Sequence, residues 1–286
     1  MRMKIVAVVV LYHPDLQIVQ ENLMAFTYQV DKTLIWDNSP GETSVKNENF
    51  IRNMFPHVII QGDGINHGIS YGLNKAWEYA RQHQYDALLT MDQDSIFSDF
   101  AFFRKRVENK WEMEGLSACG PTPNLKSKDA LRDFSPNSHL ITSGMLIPIS
   151  LLDTCGGYCR DYKIDGIDIE LCYHLKACGY HTYIDNKSNL VQRFGQHETR
   201  AIPLFGEKAF SHYNASRLYE IFRNHIVTWR RYRFPWKLTK LIFYEYFVSY
   251  VIKDIIILGD NKEEYLTAVL KGCVDGFRFN IQNENH

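Results

Sequence analysis

The sequence has no apolar run long enough for a confident membrane-spanning helix, which takes about 20 such residues. Its six cysteines (Cys119, Cys155, Cys159, Cys172, Cys178 and Cys273) include no C-x-x-C pair. They read as reduced thiols of a cytosolic protein, not as a disulfide framework. Net charge is almost nil, at -1, so no global charge signal points to nucleic acid. Repeats and low-complexity linkers are missing too. Neither a Rossmann G-x-G-x-x-G nor a P-loop is present, which argues against a dinucleotide enzyme and a P-loop ATPase. A cleavable leader is not expected either. Met1-Arg2-Met3-Lys4 does lead into an apolar run, Ile5 to Leu11, but that run is short, lacks a small-residue cleavage site and ends in Tyr12-His13-Pro14-Asp15.

What is present suits one large α/β domain, or one domain with an appendage. The 286 residues are 45% hydrophobic and 14% aromatic, enough for a sizeable core. Residues 4–11 have the continuous apolar character of a strand covered on both faces. Leu16 to Tyr28 follows with helical spacing, then a strand over Lys32 to Trp36, a helix over Val45 to Met54 and a strand over His57 to Ile60. This alternation predicts a parallel, doubly wound sheet whose loops gather on one edge. Further helices are expected at Ser70 to Gln82, Phe100 to Glu112 and Ile169 to Cys178, with strands at 116–121 and 140–148.

The most informative stretch is Ala87-Leu88-Leu89-Thr90-Met91-Asp92-Gln93-Asp94-Ser95. An apolar strand stops at two aspartates, on the edge where open α/β sheets bind ligands. Two carboxylates there form a hard-oxygen site for a divalent cation that holds substrate phosphates. A solvated acidic turn is the competing reading, and an isolated D-x-D favours it. Asp37, in Asp37-Asn38-Ser39-Pro40, is open in the same way. It is either turn chemistry or an acceptor for a nucleotide base or ribose. The loop Gly64-Ile65-Asn66-His67-Gly68-Ile69-Ser70 runs into a helix, with Ser70 as its expected N-cap, and makes a candidate anion site. Gly144, expected inside a strand, marks a close approach. Asp165 or Asp168 reads as an N-cap, or as a carboxylate kept ionised by the helix dipole and able to take a proton. Residues 122–137 form a polar surface loop and a candidate lid. The tail from Ile202 onward is helical in character. Its basic and aromatic segment Trp229 to Lys237 suits either a membrane interface or packing against the domain or a second subunit.

Taken in order, these stretches resemble the inverting family 2 glycosyltransferases of the GT-A fold, and within them the bacterial rhamnosyltransferase-like branch. The matching pieces are Val8 to Pro14, Asp37-Asn38-Ser39, Asn66 to Asn74, Met91 to Ser95, Ser143-Gly144 and Ile164 to Cys172. Phe222-Arg223-Asn224 and Arg230-Arg231-Tyr232 in the tail match as well. The resemblance implies a Rossmann-like mixed sheet flanked by helices over 1–201, and a C-terminal helical appendage over 202–286.

It also implies roles. Leu11, Tyr12, His13, Asp37, Asn66, Gly68, Ser70, Asn74, Asp92 and Gln93 would bind the nucleotide-diphosphate sugar. Asp94, with Asp92, would hold Mg²⁺ or Mn²⁺. Asp168 would be the base, matching the second residue of the family's Glu-Asp pair, although Ile167 stands at the first. Ser143, Gly144, Asp165 and Glu170 would lie on the acceptor side. In place of the family's late His-x-x-Gly the chain has Gln192-Arg193-Phe194-Gly195, with His197 nearby as a substitute ligand.

The implied reaction moves rhamnose or another hexose to a saccharide acceptor, lipid-linked, in bacterial surface polysaccharide synthesis, from the cytoplasm or the inner face of the plasma membrane. Two alternatives stay open. A haloacid-dehalogenase-type phosphohydrolase also places D-x-D after an apolar strand, but normally after its first. A non-catalytic nucleotide-sugar or glycan-binding module would need no base.

Overall fold

The computed structural model describes residues 2–124, 131–137, 139–192, 197–202, 206–211, 213–233, 240, 244, 251–252, 255 and 261–281. The chain divides into two compact units. The first comprises Met1–Lys163 and Ile167–Arg193, and the second Ile164–Gly166 and Phe194–His286.

The first unit opens with four parallel strands, β1 (Ile5–Leu11), β2 (Lys32–Asp37), β3 (Ile59–Gln61) and β4 (Ala87–Asp92). Helices α1 (Leu16–Phe26), α2 (Gly41–Met54) and α3 (Ile69–Gln82) connect them. Beyond β4 the sheet becomes mixed. It continues with β5 (Ser95–Phe97), β6 (Ala118–Pro123), β7 (Phe134–Pro136), β8 (Met145–Pro148) and β9 (Thr182–Gln192). The order is β3-β2-β1-β4-β8-β6-β9-β5, with β7 also on β9. The parallel order expected for the first strands holds, and the sheet as a whole is mixed, as the resemblance implied. β8 runs antiparallel to β4, and β5 and β7 run antiparallel to β9. Helices α4 (Phe100–Glu114), α5 (Ile149–Cys155) and α6 (Ile167–Ala177) complete the unit.

The apolar runs explain the centre of this sheet. β1 lies between β2 and β4, and Ile5 to Val9 are buried on both faces. Asp15 starts α1 by accepting hydrogen bonds from the Gln17 and Ile18 amides. Val19, Leu23 and Phe26 then turn into the core, each stabilising the fold by roughly 1.5–3 kcal/mol. The second half of the sheet uses a different device. β9 reads Thr-Tyr-Ile-Asp-Asn-Lys-Ser-Asn-Leu-Val-Gln and its polar centre is buried. The Asp185 carboxylate accepts from Arg106 Nε at 2.9 and 3.0 Å and from Ser188 Oγ at 2.6 Å. Asn186 donates to the Arg132 carbonyl and to Ser135 Oγ.

In the second unit, β10 (His197–Ile202) and β11 (Gly206–Ser211) form an antiparallel pair. Two helices, α7 (Ala215–Tyr232) and α8 (Lys262–Arg278), pack together. Gly272 and Gly276 permit the contact, because a Cβ at either would lie 2.5 Å from the Tyr219 carbonyl oxygen or 2.9 Å from that of Arg223. Leu218, Ile221, Phe222 and Val269 form part of this unit's own core.

Arg230 donates to the carbonyls of Gly276 and Phe279, both at 2.8 Å, and Trp229 meets Phe277 edge to face. These two members of the candidate interface segment therefore have partners inside the unit, and residues 234–237 lie outside the described residues. Among the described residues no helix is long and apolar enough to cross a membrane.

Candidate active site

The register of the parallel strands assembles the site. Leu11 lies opposite Asp37, and Val10 lies opposite Asp92. Three strands therefore end level, and Tyr12-His13, Asn38-Ser39 and Gln93-Asp94 emerge on one edge. Side chains lock these loops to one another. The Tyr12 amide donates to Gln93 Oε1 at 2.8 Å, and Gln93 Nε2 donates back to the Tyr12 carbonyl at 3.3 Å. The His13 amide donates to Ser39 Oγ at 2.9 Å. His13 is left-handed (φ 45°), and its ring meets that of Tyr12, which is half exposed.

Asp37 is almost wholly buried. It accepts from the Ser39 amide at 2.8 Å, closing an Asx turn, and from Asn47 Nδ2 at 2.9 Å. Asn38 ties that turn to the glycine loop. Its Nδ2 donates to the Gly68 carbonyl, and its Oδ1 accepts from the His67 amide and Trp36 Nε1. Asn66 Oδ1 accepts from the Gly68 amide at 2.9 Å.

Gly68 has φ +87°, and a Cβ there would stand 2.7 Å from Lys163 Cα. α3 starts one residue earlier than expected, with Gly68 as its cap. The first free amide, Ile69 N–H, goes to the Lys163 carbonyl at 2.6 Å. Ser70 does not cap the helix. Its hydroxyl is buried without a protein hydrogen-bond partner. Asn74 makes a two-way pair with the Tyr158 backbone, at 2.9 Å each way, and holds α3 in place. Beside the loop, His67 pairs with Asp63 at 2.7 Å and stacks on Tyr71, and this hydrogen bond holds the exposed Asp63 carboxyl below its usual range.

Asp92 closes β4 and Asp94 lies in the turn to β5, both half-buried. Asn22, on α1 and fully buried, holds that turn from below. Its Nδ2 donates to the Asp92 carbonyl at 2.9 Å and also to the Ser95 carbonyl. On the other side the Asp92 amide donates to Ser143 Oγ at 3.2 Å. Gly144 lies just before β8, not inside a strand as the sequence suggested. Its φ is +78°, and a Cβ would meet Pro121 Cγ at 2.8 Å. A side chain there would push Ser143 off Asp92.

Asp168 stands in the first turn of α6, one residue inside the helix and not at its cap, and it accepts from the Ile169 amide at 2.8 Å. The negative group gains from the helix N-terminus. One turn on, burial and then the charge of Asp168 push the Cys172 thiol up to about 12. Cys172 therefore stays neutral and does not compete as a base. Glu170 is buried. Asp165 belongs to the second unit, where its backbone is left-handed and Arg217 holds both its carboxylate oxygens at 2.9 and 3.0 Å. Residues 125–130 of the candidate lid, Arg193 to Gln196 and the side chain of His197 lie outside the described residues.

Asp92 and Asp94 offer oxygen donors from one braced turn, which suits Mg²⁺ or Mn²⁺. Among the described residues no third carboxylate, histidine or cysteine joins them within ligand distance. Mg²⁺ is commonly held by one or two carboxylates with the remaining positions left to substrate phosphates and water. The donor set fits that mode.

The sequence reading missed Asn22, Asn38, Ser39 and Asn47 as members of the site. A signal existed for one of them. Asn22 falls among Val19, Leu23 and Phe26 on the apolar face of α1, and a buried amide needs a partner. We expect Asn22→Ala to lower stability by about 1–3 kcal/mol in urea unfolding and to weaken Mn²⁺ binding in calorimetry. Unchanged metal affinity would show that the D-x-D turn keeps its shape without the amide.

No protein-family model matches the chain, and no curated protein matches it in sequence. Solved structures do match. The crystal structure of GalNAc-T7 with UDP, GalNAc and Mn²⁺ superposes with a TM-score of 0.62 at 9% identity, covering 96% of this chain and 56% of that one. The mannosyltransferase PcManGT from Pyrobaculum calidifontis, in complex with GDP-Man and Mn²⁺, gives 0.59 at 12% identity, covering 96% and 74%. TarS of S. aureus, residues 1–349 in complex with UDP-GlcNAc, gives 0.58 at 12% identity, covering 93% and 79%. The chain thus spans little more than half the length of GalNAc-T7. These identities carry the fold and not the chemistry, and the fold they share with this mixed, helix-flanked sheet is GT-A.

Proposed function

We propose that the chain is a metal-dependent, inverting glycosyltransferase that moves a sugar from a nucleotide-diphosphate donor to a saccharide acceptor. The observation that carries this reading is the level ending of β1, β2 and β4, with the D-x-D turn braced from both sides. The names of the solved relatives, all structures holding nucleotides or nucleotide sugars, agree with it.

In this reading the Tyr12-His13 loop and the Asp37-to-Ser39 turn receive the nucleoside, and the glycine loop lies against the donor. Asp37 acts by holding the turn. Asp94, with Asp92, would hold a Mg²⁺ or Mn²⁺, whose charge would offset that of the leaving diphosphate. Asp168 takes the acceptor hydroxyl's proton as that oxygen attacks the anomeric carbon from the face opposite the leaving group. One displacement inverts the centre. The rhamnosyltransferase-like motifs favour rhamnose or another hexose as the sugar and a lipid-linked saccharide as the acceptor. They also favour action at the inner face of a bacterial plasma membrane, through peripheral contact by the second unit.

Asp94→Ala should abolish metal-dependent binding of the donor in a thermal-shift screen of nucleotide sugars with Mg²⁺ or Mn²⁺, while the variant stays folded. Full release of nucleoside diphosphate by the wild type in EDTA would remove the metal from the mechanism.

Asp168→Asn keeps the side chain's size and loses its basicity. Transfer should fall roughly a hundred- to ten-thousand-fold with donor affinity little changed. An active Asp168→Asn enzyme would move the base elsewhere. Accumulation of a phospho-enzyme on Asp92 would instead favour the phosphohydrolase.

Peripheral contact predicts co-sedimentation with anionic but not neutral vesicles, lost on adding salt. A folded protein that leaves anionic vesicles unbound at low salt has no such surface.

A further inference from the structure

A second metal-competent cluster lies away from the D-x-D edge, at the far end of α6. It consists of Cys155, His174 and Cys178, whose ligand atoms all fall within 4.8 Å of one another. Cys155 is the last residue of α5, and Gly156 (φ +72°) ends that helix. His174 and Cys178 are one turn apart, and the Cys178 amide donates to the His174 carbonyl at 2.9 Å. Gly179 (φ +85°) then turns the chain away. The two helix ends are also joined by Thr154 Oγ1 and Tyr180 OH at 3.3 Å. The three donors therefore project from braced backbone.

We propose that Cys155, His174 and Cys178 bind a soft divalent cation, Zn²⁺ by chemistry, as a structural clasp between α5 and α6. The spacing of the two sulfurs is that of neighbouring ligands on a tetrahedron. With Zn–S bonds of about 2.3 Å, two sulfurs on a tetrahedron stand roughly 3.7 Å apart. The two Sγ atoms stand 3.6 Å apart. Two thiolates and an imidazole supply three of the four ligands that zinc takes, leaving the fourth position to water or another ligand. The end of α6 adds partial negative charge, which favours a cation.

The donors also separate this site from the first one. Thiolate sulfur selects zinc-like ions, whereas the D-x-D offers only hard oxygen. Burial pushes the Cys155 thiol up, and the Cys178 contact adds to it. Metal binding there would have to displace that thiol proton, so affinity should rise with pH. Because α6 carries Asp168 in its first turn, the clasp anchors the opposite end of the helix that presents the base.

The test uses the full-length chain, reduced and freed of metal, titrated with Co²⁺ and then Zn²⁺. The expected result is thiolate-to-cobalt charge-transfer absorption saturating at one equivalent, bleached by Zn²⁺ and unaffected by excess Mn²⁺. Zn²⁺ at a hundredfold excess over its Kd should raise Tm by roughly 5 °C or more. Cys178→Ser and His174→Ala should each weaken Co²⁺ binding by roughly tenfold or more while leaving Mn²⁺-supported donor turnover in place. Cobalt binding without the charge-transfer band, or a band of unchanged strength in Cys178→Ser, overturns the site. So does its bleaching by Mn²⁺. These readouts stand on the wild-type spectrum, so a variant that fails to fold does not spare the proposal.

Discussion

The pairing of β1 between β2 and β4 is the constraint on which the first unit rests. A strand buried on both faces must satisfy its backbone groups through neighbours, since no water reaches them. β1 does so on both sides, in parallel and without a register shift. Parallel neighbours require crossover helices, which cover the faces and close the core around Leu23, Phe26 and Phe103. The same pairing fixes where each strand stops. The loops that follow are therefore brought together by the sheet itself, before any side chain acts.

Side-chain amides then turn an edge into a shaped site. Asn22, Asn38, Asn47 and Gln93 each bridge segments that are distant in sequence. An amide suits this work because it donates and accepts at once and carries no charge to desolvate. The charged groups of the D-x-D can thus remain half-exposed while neutral groups hold them. Gly68 and Gly144 serve the same end. Both adopt positive φ where a Cβ would strike a neighbouring segment, so the close approach of Lys163 and Pro121 depends on glycine.

Much of the candidate site was legible because its signals are local. An apolar run ending in Asp92-Gln93-Asp94 announces both a buried strand and its edge, and Asp37-Asn38-Ser39 announces a turn. The element boundaries on the parallel half fell close to expectation for the same reason. The roles within the turn were less legible. Asp37 and Asn74 show the same residue types whether they face a ligand or the interior, and only their partners, Asn47 and the Tyr158 backbone, reveal which way they turn.

By itself the sequence determined the α/β class, the order of the first four strands and helices, and the edge on which the acids lie. Those follow from hydrophobic period and turn chemistry, which act over a few residues. Tertiary structure alone decided the rest. It reversed β8 against β4 and buried the polar Asp185, Asn186 and Ser188 within strand β9. It started α3 from Gly68 and set Cys155 beside Cys178. Each of these depends on a partner far along the chain: Arg106 for Asp185, Lys163 for Ile69, and α6 for Cys155. A polar residue in a strand or a lone cysteine at a helix end has no local preference strong enough to announce such a partner, because the stabilising contact exists only once both segments have folded together.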